Sequence, residues 1–413
     1  MNLRNYILVT AAYWSFTLTD GALRMLVLLH FFNLGYSPVT LAFLFLLYEF
    51  CGIVTNLLGG WLASRMGLRV TLVAGLGLQV AALGMLAFLD PSWSEVTSVA
   101  YVMLSQALSG IAKDLTKMSS KSAIKVLVPA DARGALFKWV ALLTGSKNAL
   151  KGVGFFLGGF LLAATGFSGA LGIMAAVLAV VWLASWVSLP SGLGKAKVKA
   201  GWGDLFSKSR EINVLCAARF FLFGARDIWF VVGVPVFLRG VLGWSFTEVG
   251  TFMAFWVIGY GVIQSAAPLL LRGRAPAGGV ASAVAFVLAN VAAAIPLALA
   301  AGLPPAAVII GGLSVFGAVF ALNSAIHSYL ILDYTDGDKV ALNVGFYYMA
   351  NAGGRLVGCL LSGLLYQVAG LAGCLWGAFA FAVVAAVIAL RLPREPLHAD
   401  RLAAATVAGE GGD

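Results

Sequence analysis

Residues 20–38 read Asp20-Gly-Ala-Leu-Arg24-Met-Leu-Val-Leu-Leu-His30-Phe-Phe-Asn-Leu-Gly35-Tyr36-Ser37-Pro38, an apolar run with two opposite charges that ends in a turn. Its frame returns half a chain later. Asp227 is followed by Gly243-Trp244-Ser245 as Asp20 is followed by Gly35-Tyr36-Ser37, at an offset of 207–208 residues. At the same offset Arg65 falls near Arg272 and Arg274. The second half of the chain therefore repeats the plan of the first, and each half must hold several apolar segments of this kind.

Composition says what solvent those segments meet. Of 413 residues, 61% are hydrophobic and 11% charged, against about 25% charged in a soluble domain. The mean hydropathy is +0.96. A helix crosses a bilayer in roughly 20 apolar residues. Apolar segments fall at about 5–34, 39–63, 70–89, 96–118, 138–165, 169–190, 212–238, 246–270, 279–301, 305–332, 341–368 and 371–391. Turn and breaker residues separate them, among them Asp90-Pro91, Pro190-Ser-Gly and Pro304-Pro305. The expectation is an all-α integral membrane protein with twelve transmembrane helices in two pseudo-symmetric six-helix bundles. The first bundle covers residues 1–190 and the second 212–394, joined by a Gly/Lys-rich cytoplasmic linker at 191–211 and followed by a polar tail at 395–413. A repeated six-span half points to a transporter with its site at the midplane between the halves. The 49 glycines fit close helix packing in lipid.

The net charge of +10 comes from 27 basic and 17 acidic residues. With the N-terminus in the cytoplasm, Arg65, Arg69, Lys125, Arg133, Lys195, Lys197, Lys199, Arg272, Lys339 and Arg391 all fall in inside segments, and Arg239 stands almost alone outside. That asymmetry places both termini in the cytoplasm. The apolar stretch after Arg4 reads as a retained first span, without a signal-peptide cleavage pattern. The Lys195-Ala-Lys197-Val-Lys199 run reads as a solvated loop rather than a nucleic-acid surface. Cys51, Cys216, Cys359 and Cys374 lie singly in apolar runs, so neither a disulfide framework nor a metal site is expected. No nucleotide-binding loop and no catalytic constellation is present, so the reading is a carrier without cofactor, not an enzyme or an ATP-driven pump.

Ionisable residues within spans usually line a cavity, because a lipid-facing charge is costly. The basic ones are Arg24, Lys113, Lys117, Lys121, Lys147, Lys151, Arg219, Arg226 and Arg355; the acidic ones are Asp20, Glu49, Asp114 and Asp227. Lys113, Lys117 and Lys121 share one helix face at i, i+4, i+8, as do Lys147 and Lys151. Internal pairing neutralises at most four of the nine cations. The excess calls for a substrate with several negative charges, and phosphate-like groups suit it: Arg grips them bidentately and Lys acts as a point charge. Other readings stand beside this one. Lys121 and Lys117 also serve as surface charge, Arg219 as a snorkelling side chain, Asp20–Arg24 as a structural ion pair, and Asp114 as the counter-charge of its lysines. His30 and His327 read as packing residues. Asn148, Asn323, Asn343 and Asn351 either orient a substrate or cross-link helices. Tyr13, Trp14, Tyr347 and Tyr348 either wall the cavity or pack.

Three stretches carry a family resemblance. Gly60-Trp-Leu62-Ala-Ser64-Arg65-Met-Gly67-Leu-Arg69, after the second span, is similar to the G-x-L-a-D-r-x-G-r-k signature of the major facilitator superfamily. Ser64 replaces the usual Asp. Gln106-Ala-Leu-Ser-Gly110 stands where proton-coupled members carry R-x-x-x-G, and Gly154-Phe155-Phe-Leu-Gly158-Gly159 resembles the exporters' G-P-x-x-G-G with Phe155 in place of Pro. The resemblance implies alternating access, with Gly60, Arg65, Gly67 and Arg69 in a loop that gates the conformational change.

A narrower resemblance rests on Tyr13-Trp-Ser-Phe-Thr-Leu-Thr-Asp20-Gly-Ala-Leu-Arg24, on Leu108-Ser-Gly-Ile-Ala-Lys113-Asp114-Leu-Thr-Lys117 and on Ser146-Lys147-Asn148-Ala-Leu-Lys151. These resemble the ArsJ-type organoarsenical efflux permeases of bacterial arsenic-resistance operons. Such permeases are held to export 1-arseno-3-phosphoglycerate, formed when glyceraldehyde-3-phosphate dehydrogenase uses arsenate in place of phosphate. The resemblance implies an inner-membrane exporter that confers arsenate resistance, with that dehydrogenase as a pathway partner and no direct binding to it. On this reading Lys113, Lys117, Lys147 and Lys151, with Asn148, hold one anionic end of the substrate, and Arg24, Arg226 and Arg355 hold the other. Asp20, Glu49 and Asp227 are the candidates for proton coupling; phosphate exchange is the alternative. Another organophosphate anion, or a hydrophobic cation in a proton-coupled drug exporter, is the competing substrate class.

Overall fold

The computed structural model describes residues 3–66, 68–127, 133–190, 209–271, 276–334 and 340–394. Among them it holds helices and connecting turns, with no strand. The first half contains α1 (Leu3–Asn33), α2 (Pro38–Leu44), α3 (Leu46–Met66), α4 (Leu68–Ala87), α5 (Glu95–Leu127) and α6 (Arg133–Ser188). The second contains α7 (Arg210–Phe230), α8 (Gly233–Gly240), α9 (Phe246–Leu270), α10 (Gly278–Ala300), α11 (Pro305–Asp333) and α12 (Val340–Ala389).

Helices and spans do not coincide one to one, for local reasons. α2 starts at a cap: the Ser37 hydroxyl accepts from the Thr40 amide, and Pro38 presets the first turn. It breaks at Phe45, so α2 and α3 together make the second span. α7 and α8 likewise form one span, Arg210–Gly240. α6 has 56 residues, about 84 Å of helix at 1.5 Å per residue, far more than a bilayer core of about 30 Å. It breaks at Gly166, whose φ of +70° is open to glycine and strained for other residues. α12, with 50 residues, breaks in the same way at Ala369–Gly370, where Gly370 has φ +61°. Each of these two helices thus crosses twice. Among the described residues, eight helical stretches are long and apolar enough to span a membrane. α1 and α5 are not among them, because Asp20, Arg24, Lys113, Asp114 and Lys117 interrupt their apolar sequence. With these two, and with α6 and α12 counted twice, the described residues make the expected twelve crossings.

Close approaches at glycine position the charged residues. A Cβ on Gly21 would stand 2.7 Å from the Lys151 carbonyl, and one on Gly154 2.6 Å from the Leu18 carbonyl. α1 therefore lies backbone to backbone on α6, which sets Asp20 and Lys151 on one wall. α7 and α12 make the equivalent pair in the second half, with Gly224 against Gly358. Farther from the start of α1, the halves meet along two seams. α6 meets α9 where a Gly250 Cβ would lie 2.9 Å from the Phe155 carbonyl, and α2 meets α12 where the Val39 amide donates to Gln367 Oε1 at 3.4 Å. Large apolar side chains such as Val187 and Leu269 face outward, 84% and 82% exposed, as a lipid-facing surface requires.

Candidate functional site

The cavity between the halves lies toward the side at which α1 begins and α5 ends. α1 supplies Tyr13, Phe16, Thr17 and Asp20; α3 supplies Asn56; α5 supplies Lys113, Asp114 and Lys117. α6 adds Lys147 and Lys151, and α12 closes the ring with Tyr348, Asn351, Ala352 and Arg355. The cavity holds about 100 Å³, less than the roughly 300–1,000 Å³ usual for small-molecule sites, so it must widen to take a ligand of several polar groups. The i, i+4 spacing read in the sequence does bring Lys113 and Lys117, and Lys147 and Lys151, to the same space. Five cations face it, against two carboxylates.

Those two carboxylates are not free to cancel the excess. Asp114 is fully buried and takes Lys117 Nζ at 2.9 Å, the Thr55 hydroxyl at 3.0 Å and Asn56 Nδ2 at 3.2 Å. Lys117 also donates to Asn56 Oδ1 at 2.8 Å. Asp114 is thus the counter-charge that fixes Lys117 in place. Asp20 has no cation within 4.0 Å among the described residues; its Oδ1 accepts from the Tyr48 hydroxyl at 2.6 Å. The ammonium of Lys113 sits 4.1 Å over the same Tyr48 ring, and that of Lys151 5.7 Å over Phe155. Both are soft contacts that leave N–H donors for a ligand.

Beyond the cavity, a chain of buried ion pairs ties the halves together. Glu49, fully buried, takes Arg24 at 2.7 Å and Arg355 at 2.5 Å, both on Oε1. Arg355 Nε reaches Asp227 Oδ2 at 3.1 Å, and Asp227 Oδ1 takes Arg226 at 2.5 Å. The order Arg24–Glu49–Arg355–Asp227–Arg226 runs from the first and second spans to the eleventh and seventh. Three cations share two carboxylates, so the chain as a whole is positive.

This geometry divides the sequence-derived set. Lys113, Lys117, Lys147, Lys151 and Arg355 line the cavity; Arg24 and Arg226 sit in the ion-pair chain and do not. Of the three coupling candidates, Asp20 faces the cavity while Glu49 and Asp227 are clamped between guanidiniums. The alternative reading of Asp20–Arg24 as a structural ion pair is not what forms, because Arg24 turns to Glu49. The side chains of Asn148 and Lys121 lie outside the described residues, as do Gly67 and the side-chain surroundings of Gly60 and Arg65. Arg69 donates to the Trp186 carbonyl at 2.5 Å, tying the start of α4 to the end of α6. His30 stacks on Phe167 at 4.0 Å, a packing role. Among the described residues no group of ligands suited to a metal is found, and the four cysteines are unpaired. Sequence reasoning missed Asn56, Thr17 and Tyr48. Asn56 was findable: it stands two turns after Glu49, a polar residue on the same face of an apolar helix.

Residues 6–330 match the Major Facilitator Superfamily, and the chain belongs to it. Solved structures agree on the fold. A mutant of the nucleoside transporter NupG superposes with a TM-score of 0.70 at 16% identity, covering 93% of this chain and 97% of that one. A D-xylose-proton symporter superposes with a TM-score of 0.70 at 16% identity, covering 95% of this chain and 99% of that one. No curated protein matches the chain by sequence. The protein is thus a multi-pass membrane carrier, and its family consists of secondary transporters of small molecules rather than enzymes.

Proposed function

We propose that this carrier exports a small organic anion with phosphate-like groups, and that the anion is 1-arseno-3-phosphoglycerate. The observation that carries the reading is the cavity wall, where five cations face two carboxylates and one of those, Asp114, is already bound to Lys117. A buried excess of positive charge is stabilised by a bound anion, and Lys113 and Lys151, which have no ion-pair partner among the described residues, are costly unless an anion completes them. Lys113, Lys117, Lys147 and Lys151 hold one oxyanion; Arg355, at the end of the cavity, holds part of the other. The arsenic-specific part rests on the family resemblance of the Lys-rich stretches, since lysines read charge and not the central atom.

In this reading both termini are cytoplasmic, the membrane is the bacterial inner membrane, and the bundles 1–190 and 212–394 rock about the site. The corner between α3 and α4, expected as a loop from the sequence and helical over 60–66 and 68–69, gates the motion through Gly60, Arg65, Gly67 and Arg69. Glyceraldehyde-3-phosphate dehydrogenase makes the substrate without binding the carrier. Asp20 is the coupling carboxylate, because it alone among the three candidates meets the cavity without an arginine on it. A drug exporter for hydrophobic cations would need the opposite wall, rich in carboxylates.

The test is uptake by everted membrane vesicles supplied with glyceraldehyde 3-phosphate, NAD, the dehydrogenase and arsenate. Arsenic uptake that requires all four components is the expected result. Uptake of 3-phosphoglycerate or another phosphate ester instead would keep the anion cavity and overturn the arsenical; uptake of no anion at all would overturn both.

A further inference from the structure

Arg219 is a buried cation that the cavity does not use. It is 4% exposed, and no carboxylate lies within ion-pair distance among the described residues. Its Nη1 donates to the carbonyl and the hydroxyl of Ser324, each at 3.1 Å, and its Nε has no partner there. The guanidinium lies 3.9 Å over the Phe223 ring and 4.7 Å over that of Tyr347. Among the described residues, the polar groups on and next to its partner Ser324 are neutral. From α9, Tyr260 and Gln264 reach Ser324 at 3.2 and 3.4 Å. From α11 come Asn323, whose side-chain nitrogen and oxygen both lack partners among the described residues, and His327, whose Nδ1 lacks one too. A fully buried amide with neither atom satisfied, next in the chain to the Ser324 that holds a guanidinium with no counter-ion among the described residues, is an arrangement that a bound oxyanion completes.

The repeat gives this cluster a place. At the offset of 207 residues, Ser324 occupies in the second half the position that Lys117 occupies in the first. The cation missing there from the tenth span is supplied by the seventh. The two cations also stand on neighbouring rings of α12: Lys117 lies 4.9 Å over Tyr348, Arg219 lies 4.7 Å over Tyr347, and the rings meet edge to face at 5.6 Å. Tyr347 is held through its hydroxyl by Ser328 at 3.4 Å, a loose tether.

We infer that Arg219, with Asn323 and Ser324, is a second oxyanion subsite in the C-terminal half, which takes the far end of a two-ended anion once Tyr347 swings aside. The inference rests on the anion reading above and deepens it: the substrate class is a compound with an oxyanion at each end, one held by the first half's lysines and one by Arg219. Arg24 and Arg226, locked in the ion-pair chain, are replaced in that role. A two-ended ligand also gives the halves a reason to close on substrate, since neither half alone binds both ends.

Purified full-length protein in lipid nanodiscs is titrated with 3-phosphoglycerate, which carries phosphate and carboxylate, and with glycerol 3-phosphate, which carries phosphate alone. The unaltered protein prefers the two-ended anion. Arg219→Ala lowers that preference by about tenfold, the worth of one charge-assisted hydrogen bond, and Arg219→Lys restores part of it. If Arg219→Ala weakens both anions equally, or if its preference equals that of the unaltered protein, Arg219 is structural and the subsite is overturned. Binding of neither anion by the unaltered protein overturns the anion reading itself, and the subsite with it. Should Arg219→Ala fail to fold, Asn323→Leu is the second variant, with the same loss of preference expected and an unchanged preference overturning the subsite.

Discussion

Asp20, Glu49 and Asp227 are indistinguishable in the sequence, each an acid in an apolar helix, yet their surroundings give them different work. Glu49 holds two guanidiniums and Asp227 holds two; Asp20 holds one hydroxyl. Removing one partner from a buried ion pair costs about 3–5 kcal/mol, because the other charge is left uncompensated. Arg355→Ala takes one of two guanidiniums from Glu49 and one of two from Asp227 and cuts the tie between the halves, so it is expected to lower the thermal stability of the purified protein, by less than a full stranding would, as well as its transport. Lys151→Ala breaks no ion pair among the described residues, so transport should fall with the melting temperature nearly unchanged. A melting temperature that falls as far for Lys151→Ala as for Arg355→Ala would contradict this division. Asp20→Asn keeps the acceptor for Tyr48 and removes the charge. It is expected to leave substrate exchange intact while abolishing the response of uptake to a proton uncoupler, and a response retained in full would remove Asp20 from coupling. Every one of these charges was legible in the sequence. Their pairing was not: Glu49 and Arg355 are 306 positions apart, and no periodicity relates residues on helices from different halves.

At the scale of the element, helix ends followed local chemistry and were readable. The expected segment boundaries near 165 and 369 fall at Gly166 and Gly370, the two positive-φ residues inside continuous helix. The break between α2 and α3 was not readable, because Phe45 carries no breaker chemistry and tertiary packing decides it; that between α7 and α8 is signalled by Gly233 and by Pro235, which has no N–H for the Val231 carbonyl. α1 and α5 show the opposite lesson. Their low apolarity weakens them as spans by composition, and the reason is that they carry the cavity's charges. The seams between halves depend on small residues. A Gly250→Val side chain has no room beside the Phe155 carbonyl, so it should prevent α6 and α9 from closing. Transport is expected to fall severalfold with helical content by circular dichroism preserved, and transport at the unaltered rate would show that this seam does not close during the cycle.

At the scale of the whole molecule, a fold shared with sugar and nucleoside carriers holds a charge pattern of its own. The superfamily fold supplies two halves, a central cavity and a way to alternate access; in the proposed function the lysines on α5 and α6 select the anion. The ion-pair chain from Arg24 to Arg226 spans both halves, so it must persist or re-form whenever they move, and its net positive charge adds to the field in the cavity. Pairing takes up Lys117 through Asp114 and Arg355 through Glu49 and Asp227, so the cavity excess that survives rests on Lys113 and Lys151, which have no ion pair among the described residues, while Asp20 is held by Tyr48. The most direct measurement is arsenic uptake by everted vesicles in the four-component mixture, comparing the unaltered protein with the Lys147→Ala/Lys151→Ala double variant at equal membrane abundance. The account predicts saturable uptake by the unaltered protein and uptake lower by about tenfold or more in the double variant, the loss of at least one charged contact to the anion. Equal uptake by the two proteins would contradict it.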